Sequence, residues 1–160
     1  MHASTSSAPS AKPQTLEAGQ WAAADKYDVD HGNVRLNIAA VAIRDEPPGE
    51  RKDKKREKEL WITVKLSHVG VKDAVTFRGW QPPHAPLLTV AGHAVAFKRR
   101  QGEGQTGNRN LVPFQPIQEV LVFEAPPATD DALRLELPAA AFGAAGVVRF
   151  ELPRTMLSIR

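Results

Sequence analysis

From Val34 onward, hydrophobic and polar residues alternate with a period of two through much of the chain. Val34, Leu36, Ile38 and Ala40 fall on one side of an extended backbone, with Arg35 and Asn37 on the other. That is the pattern of a strand buried on one face. Val41 and Ile43 break the alternation, so the far end of this strand is either covered on both faces or bulged. The next segment is the most regular in the chain: Leu60, Ile62, Val64 and Leu66 face one way, and Trp61, Thr63, Lys65 and Ser67 the other. Strict alternation and β-branched residues agree here, and Gly70 ends the strand. Val75 and Phe77 are inward candidates in AVTFRGW. QPPHAP reads as a turn or edge, because its prolines cannot serve a central ladder. LLTVAGHAVAFKR reads as a hairpin turning at Ala91 and Gly92. IQEVLVFEAPP is a further strand, with either Val120 and Val122 or Ile117, Leu121 and Phe123 inward according to register. Leu133, Leu135 and Leu137 mark another, and VVRFELPRTMLSIR carries the last strand or two, with Val148, Phe150 and Leu152 in phase. AAAFGAAG between those two fits one helical turn closed by Gly143 or Gly146. Short strands in close succession, without a long amphipathic helix, predict an all-β fold: an immunoglobulin-like antiparallel β-sandwich of about seven to nine strands.

The N-terminal segment departs from this pattern. Residues 1–20 are rich in Ser, Ala, Thr and Pro and bury too little apolar surface to offset chain entropy. They are expected to be a disordered linker, with the sandwich over residues 21–160. The start of the chain lacks the apolar core of a signal peptide, and no apolar run reaches the roughly 18 residues of a membrane span. A linker of this kind fits the C-terminal part of a longer protein with an upstream membrane anchor.

The order of ELWITVKLSHVG, FRGW, IQEVLVFEAPP and LRLELPAAAFGAAGVVRFELPR resembles bacterial telokin-like, immunoglobulin-like extracytoplasmic domains of unknown function. The similarity covers roughly residues 21–157. Two departures are the Ser67-His68-Val69-Gly70 turn, where such domains usually carry an Asn-Gly type, and a charge run before Leu60. The resemblance implies a sandwich in an extracytoplasmic setting and carries over no catalytic residue.

Composition narrows the chemistry. The chain has 160 residues, enough for one domain with a real core. It has no cysteine, which removes disulfides, thiolate metal sites and a Cys nucleophile. Its formal charge of +3 arises from 21 basic and 18 acidic residues, short of a dedicated nucleic-acid arm. Gly102, Gly104 and Gly107 have dinucleotide-loop spacing, but Pro113 and Pro116 forbid the helix that such a loop needs. His2, His31, His68, His84 and His93 are scattered without metal-ligand spacing. Asp130 and Asp131 are adjacent carboxylates in a turn, and no Ser-His-Asp order can be read around Ser67 or Ser158.

Two features could form a binding surface. The first is aromatic: Trp21, Trp61 and Trp80, of which Trp61, on the polar side of its strand, and Trp80, before the prolines, are the candidates for an exposed platform that takes sugars or peptides. The alternative is that Trp61 is covered by the N-terminal segment and Trp80 plugs an end of the sandwich. The second is the run ERKDKKREKE, residues 50–59. Arg51, Lys52, Lys54, Lys55, Arg56 and Lys58 face Glu50, Asp53, Glu57 and Glu59 in the same run. The interspersed acids work against phosphate neutralisation, and no aromatic residue is placed to stack a base. The run therefore reads as a solvated loop ending at Glu59, with Arg51, Lys54, Lys55 and Arg56 as candidates for a weak anionic contact.

The expectation is a non-catalytic interaction module or structural spacer outside the cytoplasmic membrane. It needs no cofactor or metal, and its partner is a protein or cell-envelope component rather than nucleic acid. The alternatives are anionic-polymer or nucleic-acid binding through the 51–58 loop, and an enzyme with an unrecognised site.

Overall fold

The structure is a computed structural model and describes residues 12–16, 19–45, 57–70, 74–101 and 109–159. Most of the described residues lie in strands, and the helical turns among them are short 3₁₀ pieces. In chain order the strands are Lys12–Gln14 (β1), Ala22–Ala23 (β2), Tyr27–His31 (β3), Val34–Asp45 (β4), Lys58–His68 (β5), Val75–Phe77 (β6) and Leu87–Val90 (β7). They continue with His93–Val95 (β8), Phe97–Gln101 (β9), Arg109–Leu111 (β10), Ile117–Glu124 (β11), Leu133–Pro138 (β12), Val147–Leu152 (β13) and Leu157–Ile159 (β14). There are more strands than the expected seven to nine because several are two- or three-residue edge pieces with no hydrophobic period to announce them.

Two sheets face each other as a sandwich. The first runs β1-β3-β4-β5-β11-β9, and β14 pairs with β4. β3 takes residues 34–36 of β4 and β14 takes residues 41–43, so the two share one edge of the long strand. The second runs β2-β13-β12-β7-β8, and β6 with β10 forms a separate ribbon. Main ladders are antiparallel as expected, while β1 on β3, β2 on β13 and β14 on β4 are short parallel pairings. Ala96 joins β8 of the second sheet to β9 of the first, and its carbonyl accepts from the Glu124 amide at 2.9 Å. One continuous segment thus turns the corner of the sandwich.

The inward residues form one core. Leu60, Ile62, Val64 and Leu66 meet Leu133, Leu135, Leu137, Val148, Phe150 and Leu152 from the opposite sheet. In β11 the register places Leu121 and Phe123 in this core, and Phe97 meets Phe123 edge-on at 5.4 Å. The irregularity of β4 is a bulge: Ile38 pairs with Val64 and Ala40 with Thr63, which leaves Ala39 unpaired. Val41 and Ile43 return to the inward phase opposite Ile62 and Leu60. The hairpin at Ala91 and Gly92 has both residues at positive φ, 50° and 82°, the two-residue turn that matches strand twist. Ala139–Phe142 is a single 3₁₀ turn that closes at Gly143 with φ 78°.

Two expectations change. Within the segment expected to be linker, β1 pairs with Tyr27–Val29 and Leu16 packs against the core. The strand after the charge run begins at Lys58, and Glu59 is fully buried rather than the last residue of a solvated loop.

Candidate functional site

Trp80 offers no surface for an exposed platform. It is fully buried, its ring meets Phe77 edge-on at 5.0 Å, and its indole Nε1 donates to the Pro138 carbonyl at 3.0 Å. Beside it lies Glu119, 1% exposed, which accepts from Arg109 at 2.7 Å and from Arg100 and the Trp80 amide at 3.0 and 3.3 Å. Gly79, at φ +85°, makes room for this cluster, because a Cβ there would overlap the Arg100 guanidinium. The cluster ties β9, β10 and β11 to the Gly79-Trp80 turn. Both guanidinium groups converge on this one buried carboxylate, which is the arrangement of a structural strut.

Trp61 is half-buried on the outer face of the first sheet. Arg44 lies 4.6 Å above its ring and Arg99 5.9 Å from it, close enough for cation–π attraction. Its indole donates to Glu59 at 3.2 Å. Arg99 holds Glu59 with two bonds of 2.8 and 2.9 Å, and Lys98 adds a third contact of 2.6 Å. Two adjacent side chains reach one carboxylate because β9 is bulged here: Val122 pairs with Arg99 and Phe123 pairs with Phe97, so Lys98 is left between them. The Arg99 hydrogen bonds, helped by those from Lys98 and Trp61, outweigh burial and hold the Glu59 carboxyl down to about 2. Trp61 is therefore roofed by guanidinium groups. Of the charged candidates, Arg51, Lys54, Lys55 and Arg56 lie outside the described residues, as do Gly102, Gly104 and Gly107. Lys58, the first residue of β5, pairs with Asp45 at 2.8 Å.

The other end of the same outer face carries a groove of about 490 Å³. Alternation places Arg35, Lys65 and Ser67 on the outside of β4 and β5, because Leu36 and Leu66 point inward. These side chains and Asp28 line the groove, with Pro13 of β1 at one side. Cross-strand pairs fix the polar groups: Arg35 donates to both oxygens of Asp30 at 2.6 and 3.0 Å, and Asn37 donates to Asp28 Oδ1 at 2.7 Å. The Asp30 hydrogen bond raises the Arg35 pKa further, so this guanidinium stays charged.

The opposite wall is the β10–β11 connection. Val112, Pro113, Phe114 and Gln115 form a tight turn in which the Gln115 amide donates to the Val112 carbonyl at 3.3 Å. Pro113 stands where proline favours a turn, and Phe114, at φ 68°, takes the next position, which glycine usually fills. Phe114 is 100% exposed. Val69, another exposed apolar residue, and Pro116 line the groove with it. A β-bridge between Pro113 and His68 ties the turn to the end of β5, where His68 Nδ1 lies 3.0 Å from the Gly70 carbonyl.

Sequence reasoning missed Phe114. The signal was present in Val-Pro-Phe-Gln-Pro, but a proline-bounded connector does not reveal which way its aromatic points. Among the described residues no three His, Asp or Glu side chains gather as a metal site. Asp131 is engaged in its own turn, where its amide donates to Thr129 Oγ1 at 3.3 Å and its carbonyl accepts from Arg154 at 2.6 Å. No helix among the described residues is long and apolar enough to cross a membrane.

No protein-family model matches the chain, and no curated protein matches it in sequence. Its fold is similar to the crystal structure of a Bacillus subtilis protein described as a "putative lipoprotein", with a TM-score of 0.55 at 12% identity. The match covers 81% of this chain and 40% of that one, so this chain spans less than half of that protein's length. At this identity the likeness is one of fold: an all-β sandwich.

Proposed function

We propose that the chain is a non-catalytic binding module of a bacterial cell-envelope protein and that it binds through the groove beside Phe114. The observation that carries this reading is Phe114 itself, fully exposed and at positive φ. A bulky residue in the left-handed region costs about 1–2 kcal/mol, and an exposed ring adds no burial in return. Backbone strain of this kind concentrates at sites of function. The groove volume of about 490 Å³ falls within the roughly 300–1,000 Å³ typical of ligand sites. The envelope setting is supported by the sequence resemblance to telokin-like extracytoplasmic domains and by the description of the fold neighbour.

Phe114→Gly separates a binding role from a structural one. Glycine adopts the turn without strain, while its freedom in the unfolded chain costs about 0.5–1 kcal/mol. The expected outcome is a stability equal to the parent or up to about 1 kcal/mol higher, a Tm rise of a few degrees at most. A loss of more than about 1 kcal/mol would show that Phe114 holds the fold together. A photoreactive benzophenone at position 114 should also give adducts in an envelope extract that the same group at Glu124 does not. Equal yields at both positions would overturn the reading.

A further inference from the structure

We propose that the groove beside Phe114 takes a neutral oligosaccharide; this rests on the binding-module reading above. The first argument is charge. Arg35 and Lys65 bring two positive charges to the groove and Asp28 brings one negative charge, while Asp30, outside the lining, pairs with Arg35 and offsets its charge. A strongly anionic ligand would meet Asp28, and a strongly cationic one would meet Arg35 and Lys65. The balanced floor favours a ligand that carries many hydroxyls and no net charge.

The second argument is the form of the polar groups. Asp28 keeps its Oδ2 beyond the Oδ1 that holds Asn37, and Lys65, Ser67 and Gln115 add an ammonium, a hydroxyl and an amide. Together they supply donors and acceptors, those of Asp28, Lys65 and Ser67 on strands and that of Gln115 on the turn, as vicinal hydroxyls require. The third is Phe114, whose exposed ring offers the flat apolar face on which the C–H side of a sugar ring can stack.

The backbone argues against an extended peptide as the occupant. Peptides that add to a sheet use the free main-chain groups of an edge strand. At the floor of this groove β4 is paired on both sides, with β3 and β5, and β5 is paired with β4 and β11 at Lys65 and Leu66. The main chain of these two floor strands is taken up there, so at the floor it is their side chains that face a ligand.

The test is an amide NMR titration of the 160-residue chain. The probes are a panel of neutral tetrasaccharides of glucose, mannose, galactose and N-acetylglucosamine, with a displayed library of random peptides as the second arm. At least one tetrasaccharide should shift the amides of Lys65–Val69 and Phe114–Ile117. Its affinity should fall ten-fold or more in Phe114→Ala and in Ser67→Ala, and should change less than two-fold between low and high salt. Peptides that bind at this groove while no tetrasaccharide does would overturn the sugar inference and leave the binding module standing. Binding by neither class would overturn both. Tetrasaccharide shifts elsewhere on the chain, or an unchanged affinity in Phe114→Ala, would overturn the inference.

Discussion

Glu59 and Glu119 are the buried carboxylates among the described residues, and two cations hold each one. β9 supplies three of these cations in succession: Lys98 and Arg99 reach Glu59 on the outer face, and Arg100 reaches Glu119 on the inner one. The Glu59 carboxyl is depressed to about 2 from 4.5, so folding favours its ionised form. Its contribution is present in full above the unfolded value and is lost as pH falls from about 4.5 toward 2. The shift corresponds to on the order of 3 kcal/mol, of which about 2 kcal/mol is lost by pH 3. Urea unfolding at pH 6 and at pH 3 should show that loss in the parent. In Glu59→Gln the part of the slope due to this residue should vanish, while stability at pH 6 falls by several kcal/mol because Arg99 and Lys98 lose their counter-charge. A parent and variant with parallel pH profiles would remove Glu59 from this role.

At the scale of the element, β4 and β5 differ in how they keep their inward phase. β5 alternates without interruption from Leu60 to Leu66, whereas β4 carries Ala39 as an extra residue between Ile38 and Ala40. Deleting Ala39 leaves Ile38 opposite Val64 and Ala40 opposite Thr63, with Val41 and Ile43 still inward. That deletion should fold, with a stability change within about 1 kcal/mol. Deleting Thr63 shifts half of β5 by one residue and sends either Leu60 and Ile62 or Val64 and Leu66 to the outer face. It should leave no folded protein, as judged by circular dichroism and amide dispersion. A folded ΔThr63 chain or an unfolded ΔAla39 chain would contradict the bulge as the device that sets this register.

At the scale of the molecule, one hydrophobic cluster runs through both sheets of the sandwich. Neither sheet has a core of its own, so unfolding should be a single transition in which the calorimetric and van't Hoff enthalpies agree. Two separated transitions would mean that the sheets unfold independently. The sequence by itself determined the all-β class and the inward phase of β5, β12 and β13, because alternation is a local property of a one-sided strand. It also determined the Ala91-Gly92 turn, whose backbone preference is carried by the residues in it. It left the inward set of β11 open, since consecutive apolar residues from Val120 to Phe123 satisfy both phases, and pairing with β5 settled the choice. It could not find β1, which is a strand only because a neighbour offers an edge, and it left open whether a second strand follows Leu152, which pairing of β14 with β4 settled. It placed Trp80 among the candidate platforms and Glu59 in a solvated loop, since burial depends on chain far away in sequence: Pro138 and Glu119 for the one, Arg99 for the other. The groove is the extreme case. Its parts come from β1, β3, β4, β5 and the turn at Phe114, and only the packed sheet decides that they share one face.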